Sequence, residues 1–141
     1  SGARRGDGSR VSVVGSLGRH IEKVVVKVGL DVVANCQQPP TRGGTPIDTS
    51  FASANWTNSV TEPVPDVETP SPLEASDATA AAAKSGSQQA AFLGYKLRDG
   101  LAFASNPTSY IGLLNAGSSP QQTAGFVERS ILKAIRQDIR Q

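Results

Sequence analysis

Methionine is absent from this 141-residue chain, and cysteine, tryptophan and histidine occur once each. A lone cysteine, Cys36, excludes an internal disulfide and suits a reducing compartment. The lone histidine, His20, stands sixteen residues before Cys36 with no carboxylate or thiol at ligand spacing, so no metal site is expected. No nucleophile sits near His20 in sequence for it to activate. Aromatic residues make up only 5% of the chain and hydrophobic residues 38%, enough for a thin core that draws part of its stability from neighbours in an assembly. No apolar run approaches the ~20 residues that a membrane helix needs, so no membrane partner is expected. No signal-peptide pattern opens the chain, and the missing initiator methionine fits processing before Ser1 or trimming. The net charge is +2, too small to imply a polyanion as an overall partner. Walker-type and dinucleotide glycine patterns are missing as well, and no cofactor is expected. Gly117-Ser118-Ser119 would cradle a phosphate only if it opened a helix directly, and residues 120–123 intervene.

What the chain does have is a distinctive stretch from Thr45 to Val60, TPIDTSFASANWTNSV. Thr45-Pro46 demands an extended backbone, because the proline ring disfavours a helical residue before it. Asp48-Thr49-Ser50 is turn chemistry, with short side-chain oxygens able to bond following backbone N–H groups. Ala52, Ala54, Trp56, Asn58 and Val60 then alternate with polar residues, the period of a half-buried strand. Trp56 at the centre of that strand would anchor the core.

The rest of the chain organises around this corner. Residues 1–15 hold Arg4, Arg5 and Arg10 in a Gly/Ser-rich setting and read as a flexible basic arm. Residues 16–141 then form one domain. From Ser16 to about Gln37, Leu17, Ile21, Val24, Val25, Val28, Val32 and Cys36 fall on one helical face. The Val24-Val25-Val26 run favours strand by propensity, but the unbroken length favours a helix. Residues 61–74 carry four prolines with Glu62, Asp66, Glu68 and Glu74, which predicts an extended acidic excursion rather than an interior strand. Ala75 to Leu93 is helix-prone with Ser76 or Asp77 as N-cap, and Ser85-Gly86-Ser87 leaves one helix or two short ones open. Asp99-Gly100 between Tyr95–Leu97 and Leu101–Ala104 predicts a hairpin. Tyr110 to Asn115 reads as a short helical turn capped by Gly117. Ala124 to Gln141 reads as a terminal amphipathic helix, with Phe126, Val127, Ile131, Ala134, Ile135 and Ile139 on its apolar face and Asp138 among the charges mostly opposite. The predicted class is α+β, a small mainly antiparallel sheet packed against a long N-terminal helix and a C-terminal amphipathic helix.

Two pieces of the chain carry a resemblance. Thr45, Pro46, Asp48 and Thr49, followed by small residues and Asn55-Trp56, resemble the signature of the head–tail joining (neck, tail-completion or minor tail) protein family of tailed bacteriophages. The second piece, SYIGLLNAGSSPQQTAGFV from Ser109 to Val127, resembles that family's downstream pattern through Tyr110, Gly117 and Gly125. Ser50 stands where the family commonly has glycine, and Pro120 to Thr123 replace its usual proline-containing turn. The resemblance implies a non-enzymatic virion protein, made in the host cytoplasm. It would form or join a ring between the head portal and the tail, with further copies of itself, a portal or adaptor protein and a tail terminator or tail tube as neighbours. DNA passing through the ring would make non-specific contacts. Arg4, Arg5, Arg10, Glu62, Asp66 and Glu68 are the candidates for contact with a neighbouring subunit or with DNA. An assembly factor that completes the tail without staying in the ring is the alternative, and a generic dimeric binding module is a third. Asp48-Thr49-Ser50 also resembles the D-T-G loop of aspartic proteases, in which a dimer would supply the second carboxylate. Here serine replaces the glycine, and the supporting apolar strand is missing.

Overall fold

The computed structural model describes the backbone of residues 2–47 and 50–139, with the side chains of the first helix described from Gly15 onward. Asp48 and Thr49 lie outside the described residues. Seven elements follow in order: α1 Gly2–Cys36, α2 Phe51–Ala54, β1 Thr57–Val60, α3 Ala75–Phe92, β2 Ala102–Ser105, α4 Ile111–Asn115 and α5 Phe126–Ile139. The bounds of α1 begin inside the stretch expected as an arm, whose side chains, Arg4, Arg5 and Arg10 among them, lie outside the described residues. The α+β class holds, with a two-stranded antiparallel sheet and long helices near both ends.

In α1, length prevails over the strand propensity of its valines. The helix closes on Cys36, whose carbonyl accepts the Thr45 N–H at 2.9 Å, and a short 3₁₀ turn at Pro40–Arg42 reverses the chain. The core lies at this end. Val32, Val33, Cys36, Trp56, Phe126 and Ala134 are buried together, while Leu17 and Ile21 at the other end of the expected apolar face stay largely exposed.

Strand β1 is shorter than its alternation predicts, and Trp56 precedes it. Phe51 to Ala54 form a single helical turn. Asn55 ends it, its side-chain amide and backbone N–H both donating to the Phe51 carbonyl. Small residues at 52–54 make that turn sterically easy, so local i→i+4 bonds take the place of a ladder. The expected hairpin also changes partners. β2 pairs with β1, Thr57 opposite Ser105 and Val60 opposite Ala102. The Asp99 carboxylate accepts the Lys96 N–H at 2.9 Å, which winds Leu97–Asp99 into a 3₁₀ turn that Gly100 leaves at φ +89°. Tyr95 is therefore no strand residue. Its ring stacks on Phe92 at 5.9 Å and its hydroxyl donates to the Gly100 carbonyl.

Helix α3 is continuous through Ser85-Gly86-Ser87. Ser85 is buried, and its hydroxyl donates to the Trp56 carbonyl, so the residue that weakens the helix locally is held by tertiary contact. Glu74, not Ser76 or Asp77, is the N-cap, because the Asp77 carboxylate reaches back to the Glu74 N–H at 2.9 Å. Residues 61–74 are extended as expected, tied down at Val67, which bridges Thr108.

In α5 Phe126 and Ala134 of the expected face are buried, with Val127 partly so, and Ser130 joins the buried stripe where the pattern had not placed it. Small side chains at 130 and 134 let α5 approach α1 closely, and the Asn35 amide donates to the Ser130 carbonyl at 3.2 Å across the contact. Ile131, Ile135 and Ile139 are left partly exposed, lining an open apolar groove with Val24, Val28 and Phe103. Asp138 continues the stripe, with its side chain only 2% exposed, where periodicity had set it among the outward charges.

Candidate functional site

The two pieces of sequence that carry the resemblance meet in space. In the first, the Thr45 hydroxyl donates to the Cys36 carbonyl at 2.7 Å and accepts the Trp56 indole N–H, also at 2.7 Å. Thr45 has no solvent exposure and Trp56 only 4%. The buried indole thus has its polar handle satisfied inside the core, as such a side chain requires. Pro46 is buried beside them.

The second piece closes over the first through amide side chains. Gln121 donates to the Ile47 carbonyl at 2.7 Å and accepts the Ile47 N–H at 2.8 Å. Gln122 reaches the carbonyls of Pro40 and Gly44, each at 3.0 Å. Between these contacts lies a groove of about 290 Å³ lined by Pro46, Phe51, Leu73, Tyr110 and Leu114. The loop over residues 117–125 is shaped by two positive-φ glycines. Gly117 at φ +98° follows the last turn of α4, with Ser118 N–H on the Leu113 carbonyl, and Gly125 at φ +84° donates to the Asn115 carbonyl at 2.8 Å. Asn115 also binds both Glu128 oxygens, which holds the Glu128 carboxyl below its usual range. Arg129 grips the carbonyls of Thr123 and Ala124. Sequence reasoning missed Gln121 and Gln122 as the residues that join the pieces, and Asn115 as the one that ties α4 to the start of α5. Their amides are unremarkable until both loops are placed.

Ser50 takes φ +66°, the left-handed region that favours glycine. Asp48, on which the protease alternative turns, and Thr49 lie outside the described residues. Glu62, Asp66 and Glu68 are exposed along the extended segment. Burial, opposed by a bond to Ser130, pushes the Cys36 thiol up to about 12, so it packs as an inert small hydrophobe. Among the described residues no group of three or more His, Cys, Asp or Glu is placed to hold a metal ion. Among them, too, no helix is long and apolar enough to cross a membrane.

A separate charged cluster joins α1 to α5. Lys27 Nζ lies 3.1 Å from Asp31 and 3.3 Å from Asp138. Both carboxylates, Asp31 first, raise the Lys27 ammonium. Burial, and then the Asp31 carboxylate, raises the Asp138 carboxyl, with Lys27 opposing.

Comparison with protein-family models, with curated proteins and with solved structures found no match to this chain.

Proposed function

We propose that this chain is a structural protein of the neck of a tailed-phage virion, forming or joining the ring that connects the head portal to the tail. The observation that supports this reading is the convergence of two sequence pieces separated by about half the chain. Thr45, Pro46 and Trp56 of the first form one buried unit, and Gln121 and Gln122 of the second clasp its flanks. The conformation of Ser50 adds to it, since the position where the resembled family commonly carries glycine is one whose backbone favours glycine. The role is geometric. A folded corner sets the spacing of surfaces that meet a portal or adaptor protein on one side and the tail on the other, with DNA passing through the ring. Exposed Leu93, Leu101, Leu113, Leu132 and Ile139 supply apolar area for such neighbours.

The test is mass spectrometry and cryo-electron microscopy of mature particles of the phage that encodes the chain. Several copies located at the neck are the expected result. Particles that lack the chain, yet fail to complete tails when it is deleted, would make it the assembly factor. Deletion with no effect on particles overturns both.

A further inference from the structure

We propose that the groove between α1 and the end of α3 receives the acidic proline-rich segment of a second copy of this chain, joining copies head to tail. The contact deepens the ring reading and rests on it for closure into a ring, though not for the pairing of copies.

Charge along the chain is segregated. Between Arg42 and Lys84 there is no lysine or arginine, and six of the chain's twelve acidic residues fall there. Asp66, Glu68 and Glu74 are exposed. Among the described residues no ion pair joins them to a base, the bridges there being centred on Lys27. An open groove of about 480 Å³ has a net basic lining, Arg19, Lys23, Lys27 and Lys96 against Glu22 and Asp31, with Leu30 and Leu93 among its apolar residues. Glu22 is engaged by the Leu97 N–H and Asp31 by Lys27, which leaves Arg19, Lys23 and Lys96 without an acidic partner among the described residues. Arg19, Lys23 and Lys27 follow at steps of four and so share one side of α1. Leu93 is 63% exposed. A bare phosphate polymer would satisfy those bases and leave the leucines wet. A segment that sets Pro65 and Pro70 among carboxylates matches both.

Position keeps Asp66 and Glu68 of a copy away from its own groove, although Glu62 stands close to it, next to Thr61, whose hydroxyl donates to the Asp99 carbonyl at 2.9 Å. The groove runs along residues 19–31 of α1, beside the turn where the Glu22 carboxylate accepts the Leu97 N–H at 2.9 Å. Asp66 and Glu68 flank Val67, which is tied to Thr108, and Leu73 lines the groove beside Pro46, near the Cys36 end. The groove lies beside the Leu97–Asp99 turn, which leads into the Val60–Ala102 end of the sheet, whereas Asp66 and Glu68 are held at Thr108, past the Thr57–Ser105 end, a separation that suits a heterologous contact. Each exposed pair is weak and screened by salt, so several must act together.

The test is sedimentation velocity at low and high salt on the whole chain, near the concentration at which the wild type half-associates. One variant carries Lys23→Gln with Lys96→Gln, the other Asp66→Asn with Glu68→Gln, and urea midpoints matching the wild type certify that both fold. The wild type is expected to grow past a dimer at low salt and dissociate at high salt. Each variant alone is expected to associate on the order of tenfold more weakly. Their equimolar mixture should stop at a one-to-one dimer, because each supplies the one intact face that the other lacks. A wild type that stays monomeric at low salt overturns the proposal, as does a variant that assembles like it, or a mixture that gives no dimer or grows beyond one. Should that happen while the chain is found at the neck in several copies, the contact is wrong and the ring reading stands. If instead the copies pair as expected but the chain is absent from mature particles, the contact stands and the ring reading falls.

Discussion

The indole N–H of Trp56 and the hydroxyl of Thr45 form a 2.7 Å hydrogen bond with essentially no exposure to water, and the Thr45 hydroxyl in turn donates to the Cys36 carbonyl. One short side chain thereby ties the end of α1 to the only tryptophan. Thr45→Val keeps the shape and removes both bonds, leaving a buried indole donor without a partner. The expected cost is about 1–3 kcal/mol. Thr45→Ser keeps the hydroxyl and should recover most of it. Urea unfolding followed by circular dichroism measures both, and equal stability of valine and wild type would show that the two bonds add nothing to the fold.

Trp56→Ala should be more severe, because it empties the centre of the cluster formed with Val32, Val33 and Phe126. Truncating a large aromatic in a core costs about 3–5 kcal/mol. Trp56 lies between α2 and β1 instead of within a strand, so the loss should be felt as weakened helix packing. A urea-midpoint shift worth under ~1 kcal/mol would contradict its burial.

Ser50→Gly should stabilise the fold. A residue with a Cβ is disfavoured by about 1–2 kcal/mol in the left-handed region, and glycine relieves that while adding roughly 0.5–1 kcal/mol of backbone entropy cost. The net expected gain is a few tenths to about 1 kcal/mol by thermal unfolding. Ser50→Val should lose stability at the same site. A glycine variant less stable than the wild type would mean that the serine hydroxyl matters more than its φ of +66°.

Asp138 makes stability depend on pH with a defined sign. Burial and then Asp31 raise its carboxyl, so the folded chain holds a proton there that the unfolded chain releases. Unfolding free energy at this site therefore falls as pH climbs from the ordinary carboxylate range through the raised folded value, and is level above it. Asp138→Asn should flatten that decline and leave the protein at least as stable at neutral pH. Melting temperatures across the acid range check it. A variant weaker than the wild type by more than ~1 kcal/mol at neutral pH would show that the attraction of Lys27 outweighs the cost of burial.

Much of the architecture was legible in the residues themselves. The unbroken span of α1, the extended backbone of the proline-rich segment, the stop at Gly117 and the amphipathic last helix each follow from constraints that act within a few residues: helical periodicity, the ring of proline, and the freedom of glycine at positive φ. Asp99-Gly100 does form a turn, but a turn does not specify its strand partner. That choice went to β1 because the Asp99 carboxylate satisfied Lys96 locally and left β2 free to pair elsewhere.

Periodicity also describes which side chains share a face without saying how near the opposing backbone comes. Ser130 and Ala134 admit α1 closely, so the small residues of α5 are buried, the isoleucines are left lining an open apolar groove with valines of α1, and Asp138 is carried inward against Lys27 and Asp31. The bond from Trp56 to Thr45 and the clasp of Gln121 on Ile47 likewise span long separations in the chain. Composition pointed to a thin core, and residue order alone settled the segregated charge. Tertiary packing decided which polar groups meet, because a hydrogen bond between distant residues depends on a closure that no local pattern encodes.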